Sequence, residues 1–482
     1  MTKLRCLLAF LLLIVPLASW AGKAPGEVPP NFLFIAVDDM KPLTGWYGSE
    51  TVKTPAFDRL SSRSTVFTAA YTQYPVCGPS RASLLTGLRP ESSGIMDLKT
   101  RMRDIHPDIL TMPQFFKNHG YQTAAVGKIF DPRNVDSRDD DDPISWTIPY
   151  KQSLPDADRK LEENFAVRAI DAPPERFIDG AINARGIKLM RRMAAADVPF
   201  FLGVGYKKPH LPFTVPSRFF DLYERESFGL EAWQTAPEDS DASFILMENN
   251  EMRSYVPSPG PDGKVEEYSP AGMTEEQQRE LIHGYHAAVS FIDYLLAELL
   301  SELEATGQAD NTIIVLWGDH GFHLGDHGMW GKHTTMEQAN RVPLMIHVPG
   351  EEGAYTSTLA ELMDLFPTLA ELAGLEAPDN LQGKSLVPVL ENASFDFGDV
   401  AISQYKRKGA YGYSMRTDRY RYTEWIMANG QVAYRDLYDM QEDPGETRNI
   451  GGLPENADLM DSLAALLRKN STGMTRLMKS KS

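Results

Sequence analysis

The chain has 482 residues, 42% of them hydrophobic, which is enough to bury one large core or a large domain beside a smaller one. Its formal net charge of −18 argues against nucleic acid or an anionic membrane as a general partner. An anionic substrate would have to be drawn in by a local cluster of cations, which the sequence must then supply.

Lys3 and Arg5 precede the apolar run Leu7 to Leu17, and Ser19-Trp20-Ala21 offers the small residues a signal peptidase needs. Residues 1–21 are therefore expected to be a signal peptide, and the mature protein to be exported to the periplasm or secreted. The run is too short to span a bilayer comfortably, and no later stretch is long and apolar enough. Cys6 lies in the removed segment, before the apolar run, which leaves Cys77 alone and allows no intrachain disulfide. A single thiol in an oxidising compartment is a liability unless it is used or chemically converted.

Asn31 to Val37 is a continuous apolar, β-prone run that suits a strand buried on both faces of a parallel sheet. It ends in Asp38-Asp39. Residues 52–70 read as a helix and connector leading to Cys77-Gly78-Pro79-Ser80-Arg81, where Pro79 suits a first helical turn and Gly87 can end the helix. A group held at position 77 then sits at the positive end of a helix dipole, with Arg81 one turn along on the same face.

Pro113 to His119 reads as a short helix, and Gln122 to Val126 as a strand delivering Gly127-Lys128, with Asp131 just beyond. The run Asp139 to Asp142 has no EF-hand spacing and reads as a solvated loop. Pro199 to Gly203 repeats the strand pattern and leads to Lys207-Lys208-Pro209-His210; residues 234–272, rich in Pro, Glu, Asp, Ser and Gly, read as a loop at the rim of a pocket. Glu275 to Leu303 is a long amphipathic helix whose His283 and His286 read as packing residues. Thr312 to Trp317 is a second buried strand, ending in Gly318-Asp319-His320-Gly321; Trp330-Gly331-Lys332 and a strand at Pro343 to Val348 follow. The tract 379–397 reads as a linker, the alternating runs of 410–425 as antiparallel strands, and 455–469 as a last helix. Asn392 and Asn470 head glycosylation sequons, which matter only in a eukaryotic host.

Strands alternating with helices predict an α/β fold, a mostly parallel sheet flanked by helices with a smaller C-terminal α+β subdomain. In such a sheet the strand ends lie on one edge, so Asp38, Asp39, Lys128, His210, Asp319 and His320 are expected to meet at the mouth of the Cys77 helix. Asp38, Asp39 and Asp319, aided by His320, are donors suited to a hard cation such as Ca²⁺ or Mg²⁺. Arg81, Lys128, Lys332 and His210 form the cation cluster the acidic chain requires.

Cys77-x-Pro-Ser-Arg81 followed by Thr86-Gly87 resembles the signature of the formylglycine-dependent sulfatases, and Val37-Asp38-Asp39, Gly127-Lys128, Lys208-Pro209-His210, Gly318-Asp319-His320-Gly321 and Trp330-Gly331-Lys332 follow in family order. The likeness is strongest to the iduronate-2-sulfatase branch, through Lys208 to Phe213, the Asp319-His320 pair and the runs 412–417 and 420–423. The resemblance implies an alkaline-phosphatase-like sulfatase fold, with a catalytic domain at 28–390 and a C-terminal subdomain at 395–475. It implies that Cys77 is oxidised by a formylglycine-generating enzyme, that its hydrate attacks sulfur, and that Asp38, Asp39, Asp319, His320 and the modified Cys77 hold the metal. Arg81 and Lys128 would bind the formylglycine and sulfate oxygens, and His210 and Lys332 would contact sulfate and help protonate the leaving alcohol of a sulfated carbohydrate. One position departs from the branch: Asp131 stands where a histidine base is expected, and it serves as that base only if burial raises its pKa. Two alternatives accompany this reading, a phosphonate monoester or phosphodiester hydrolase of the same superfamily and a catalytically impaired protein that binds sulfated glycans.

Overall fold

A computed structural model describes residues 28–474 apart from 136–140, 151–157, 159–160, 162–164, 248–250, 256, 258–272, 408 and 472. The expected signal peptide lies outside the described residues. Seven strands make the path of the main sheet: β1 (Asn31–Asp38), β2 (Thr65–Tyr71), β3 (Gln122–Gly127), β4 (Phe200–Pro209), β5 (Thr312–Gly318), β6 (Arg341–His347) and β7 (Ala354–Thr356). Their order is β7-β2-β6-β5-β1-β4-β3, and Ala360–Glu361 pairs with β2 as an eighth strand. Only β6 runs against its neighbours; β1 is parallel to both β4 and β5.

Every residue of β1 is buried, because alternate side chains enter two different cores. Leu33, Ile35 and Val37 join one layer, with helices α1 (Pro55–Ser61), α3 (Ile178–Ala194) and the long α4 (Glu275–Ala305). Phe32, Phe34 and Ala36 join the other, which holds Ala82, Leu84 and Leu85 of the cysteine helix α2 (Cys77–Thr86). This double burial is why the strand reads as an unbroken apolar run. His283 and His286 are buried on α4, bonded to the carbonyls of Phe220 and Ile282, as expected of packing residues.

Three readings need correction. Residues 65–71 are a strand and not a connector; the small residues Thr68, Ala69 and Ala70 dilute its β pattern, and its partners β6 and β7 lie far along the chain. The tract 379–397 includes a short helix, Val387–Glu391, that buries Val387 and Val389. Asp141 and Asp142 are buried and not solvated: Asp141 accepts the Tyr150 hydroxyl at 2.9 Å, and Asp142 takes a two-pronged bond from Arg103.

The C-terminal part is an antiparallel meander, β8 (Ala401–Arg407), β9 (Ala410–Arg416), β10 (Tyr420–Met427) and β11 (Val432–Asp439), covered by α5 (Ala457–Asn470). Ile402, Met415, Tyr422, Leu437, Leu463 and Leu467 make its separate core. Its edge strand β8 docks on the stretch just before Cys77: Gln404 N–H bonds Gln73 O at 2.8 Å, and Lys406 N–H bonds the Tyr74 hydroxyl at 3.0 Å. No helix among the described residues is long and apolar enough to cross a membrane.

Candidate active site

Cys77 opens α2 and is buried, with Val76 extended at the N-cap and the Ser80 N–H bonding Val76 O at 3.0 Å. Gly87 ends the helix in the left-handed conformation. The Cys77 sulfur lies 3.3 Å from His320 Nε2 and 4.0 Å from Asp39 Oδ1. Burial, reinforced by the Asp38 charge, pushes its thiol well above the usual range. In the matured form expected from the sequence, this sulfur marks the place of the aldehyde hydrate's oxygens.

Asp38 closes β1, and Asp39 follows with φ 60°. That left-handed conformation is uncommon for a residue with a Cβ and is held here from both sides. The Asp39 N–H donates to Asp319 Oδ1 at 3.1 Å, while the Tyr285 hydroxyl of α4 donates to Asp39 O at 2.6 Å. Lys128 leaves β3 at Gly127, whose φ is 74° and whose hypothetical Cβ would meet Gly205 O at 2.1 Å. Glycine is thus required for the chain to turn Lys128 into the site.

The cations and carboxylates interlock. Lys128 Nζ is 2.6 Å from Asp38 Oδ2, and Arg81 Nη2 donates to Asp38 Oδ1 at 3.0 Å. Arg81 Nε donates to Asp319 Oδ2 at 2.9 Å, and its Nη1 bonds the carbonyls of Lys128 and Ile129. Lys332 Nζ is 2.6 Å from Asp39 Oδ2. Burial opposes the ionised form of Asp38, but Lys128 and Arg81 hold its carboxyl well below the usual range. Asp319 goes the other way: burial raises its carboxyl despite Arg81 and His320.

Donor atoms of Asp38, Asp39, Cys77 and His320 all lie within 4.8 Å of one another. Two carboxylates and one imidazole beside Cys77 offer oxygen and nitrogen donors to a divalent ion. Asp319 adjoins this group, with Oδ2 3.6 Å from His320 Nε2, but its oxygens already accept from Arg81 and from the N–H groups of Asp39 and His320. Asp39, His210 and Glu251 form a second group of the same spacing. Lys332 already bonds Asp39 and Glu251 there, at 2.6 and 2.9 Å, and opposes a second cation.

His210 follows β4, which runs on through Lys208 and Pro209 and does not stop at Gly203 as the sequence suggests. Its Nδ1 is 2.6 Å from Leu211 O and its Nε2 3.2 Å from Glu251 Oε1. Both neighbours are acceptors, so each ring nitrogen has a partner for a proton. Burial disfavours the charged ring, but the carboxylates of Asp39 and Glu251 outweigh it and raise the His210 pKa.

Arg81 is fully buried beside Cys77, and its guanidinium bonds Asp38, Asp319 and the Lys128–Ile129 backbone. One condition set by the sequence is not met. Asp131 does not gain a raised pKa: burial pushes that way, but the Arg133 guanidinium bonded to it, together with Lys128, brings it down to about 2. Glu251 was missed. It lies in the 234–272 tract, where no pattern distinguishes one acidic residue from the next.

The chain matches the family model described as Sulfatase over residues 30–375, and the one described as N-sulphoglucosamine sulphohydrolase, C-terminal, over residues 325–472. It is 33% identical to the iduronate 2-sulfatase of Mus musculus, across 90% of this chain and 93% of that protein. A protein solved in complex with its substrate D-glucosamine-2-N,6-O-disulfate superposes with a TM-score of 0.73 at 24% identity, covering 93% of this chain and 98% of the other. The phosphonate monoester hydrolase of Agrobacterium radiobacter superposes with a TM-score of 0.74 at 21% identity, covering 92% and 96%. At these identities the two structures share the fold with this chain.

Proposed function

The chain belongs to the sulfatase family, and from that premise we propose that it hydrolyses the sulfate ester of a sulfated carbohydrate, a sulfated uronic acid foremost. The single observation that carries this reading is the convergence of Lys128, Lys332 and His210 with Asp38, Asp39 and His320 around the buried Cys77 at the start of α2. An acidic chain has here the cations that an anionic ester needs.

Cys77, converted to formylglycine by a maturation enzyme, supplies the nucleophilic hydroxyl as its hydrate; once the sulfuryl group is on that oxygen, loss of the proton from the second hydroxyl re-forms the aldehyde and expels sulfate. Asp38, Asp39 and His320, with Asp319 alongside, would hold a Ca²⁺ or Mg²⁺ ion, which when bound lowers the pKa of a neighbouring hydroxyl and offsets the charge of the ester. Arg81 fixes the carboxylates of Asp38 and Asp319 in position. Lys128 and Lys332 face the non-bridging sulfate oxygens and stabilise charge as the S–O bond to the sugar breaks. His210, protonated on both nitrogens, gives the Nε2 proton to the departing alcohol oxygen.

Residues 28–390 act as the catalytic domain and 395–475 as a supporting subdomain, behind a signal peptide at 1–21 that sends the protein to the periplasm or outside the cell. Peptide mass spectrometry of the Cys77 peptide and desulfation of uronate-containing oligosaccharides test the reading together. We expect an aldehyde or its hydrate at Cys77 and sulfate release that stops on chelation and returns with Ca²⁺ or Mg²⁺. Active protein with an unmodified thiol overturns it. The likeness in fold to a phosphonate monoester hydrolase supports a second reading, and paired aryl sulfate, phosphodiester and phosphonate substrates separate the two.

A further inference from the structure

Glu251 stands among the cations assigned above to the sulfate. Its Oε2 is 2.9 Å from Lys332 Nζ and its Oε1 3.2 Å from His210 Nε2, so one carboxylate bridges both. The contact is not that of a loosely placed surface residue. Met252, next in the chain, is fully buried in the main core, and the Tyr255 hydroxyl donates to Leu211 O at 3.2 Å, beside His210. Burial works against the charge on Glu251, but Lys332 and His210 hold its carboxyl well below the usual range.

A carboxylate and the end of a sulfate monoester have much in common: each carries one negative charge spread over oxygens that accept bonds from the same donors. Resting on the sulfatase reading, we propose that Glu251 is the resident anion of the sulfate site, bonded to His210 and Lys332 in the substrate-free protein and displaced by the incoming sulfate group. The exchange is close to charge-neutral for a sulfate monoester, since one monoanion replaces another on the same two cations. It keeps Lys332 and His210 paired while no substrate is bound, when burial would otherwise make their charges costly. It also weakens every anion's binding by the strength of the bridge it must break.

Calorimetric titration of inorganic sulfate into the purified full-length protein, as wild type, Glu251→Gln and Glu251→Ala, tests this. The expected result is sulfate affinity about tenfold higher in both variants, a gain of about 1.4 kcal/mol, because competition for Lys332 and His210 is gone. Equal or weaker sulfate binding in the variants overturns the proposal, whether or not their melting temperatures fall. Desulfation of an oligosaccharide by the wild-type protein is measured in parallel. Activity with unchanged sulfate affinity in the variants removes the displacement and leaves the sulfatase reading; tightened binding without activity does the reverse.

Discussion

Two of the buried charge clusters among the described residues balance their charge differently. At the active site the cations win over burial for Asp38, whose carboxyl is held well below the usual range by Lys128 and Arg81. Where the C-terminal sheet meets the main domain, burial wins. Arg421 is 1% exposed and pairs with Glu446, whose Oε2 accepts the Glu337 N–H at 3.0 Å, yet burial still raises Glu446 to about 7 and the neighbouring Asp436 to about 6. The site spends its cations on keeping Asp38 ionised, which the proposed metal-binding role of that carboxylate requires. The interface cluster carries fewer cations per carboxylate and serves to join two cores.

If that division is right, damage to the first cluster should appear in turnover and damage to the second in stability. Cys77→Ala gives the largest effect: turnover falls to background while thermal melting stays as in the wild type, checked by desulfation assay and calorimetry. Glu446→Ala leaves Arg421 buried without its partner and is expected to lower stability by about 3–5 kcal/mol in denaturant titrations, with kcat per folded molecule unchanged. Lys332→Ala should lower kcat by about 10² to 10³ with the fold intact; a rise in KM alone would place Lys332 outside the reacting centre.

Asp436→Asn has the smallest effect and a pH signature. The folded pKa of Asp436 is raised from 3.8 to about 6, so the folded state binds the proton more tightly than the unfolded chain. Its contribution is fully present below about pH 4 and is lost as pH rises through 6, a loss of about 3 kcal/mol for a fully buried group. The variant should therefore be more stable than the wild type at pH 8 and equal to it at pH 4. A parallel offset at both pH values would show that Asp436 does not titrate in this window.

The sequence made the first cluster legible and the second not, for physical reasons. β1 and β5 are buried on both faces, so their apolar runs stand out, and Asp38, Asp39, Asp319 and His320 announce themselves as polar groups directly at the ends of such runs. Lys128 follows the same rule after β3. By contrast, β2 gains its burial only by pairing with segments nearly three hundred residues away. Arg421, Glu446 and Asp436 look like ordinary charges on alternating strands; their burial comes from docking two separately formed cores. Arg81 was legible as a site residue, but its bonds to Asp38 and Asp319 were not, because spacing along a helix does not tell which acids fold back to meet a guanidinium. The direction of the Asp131 shift could not be read in advance, because it depends on Arg133, two residues on, closing a ring that the main chain alone does not reveal.

The docking of β8 on the residues before Cys77 has a consequence in time. The Ser403 hydroxyl reaches the Thr72 carbonyl across 331 positions of chain, and Cys77 itself is 1% exposed. If Cys77 is converted by an enzyme as proposed, its burial in the finished fold means that the conversion precedes the closing of this site, on a chain whose last sixth has yet to dock on residues 72–74.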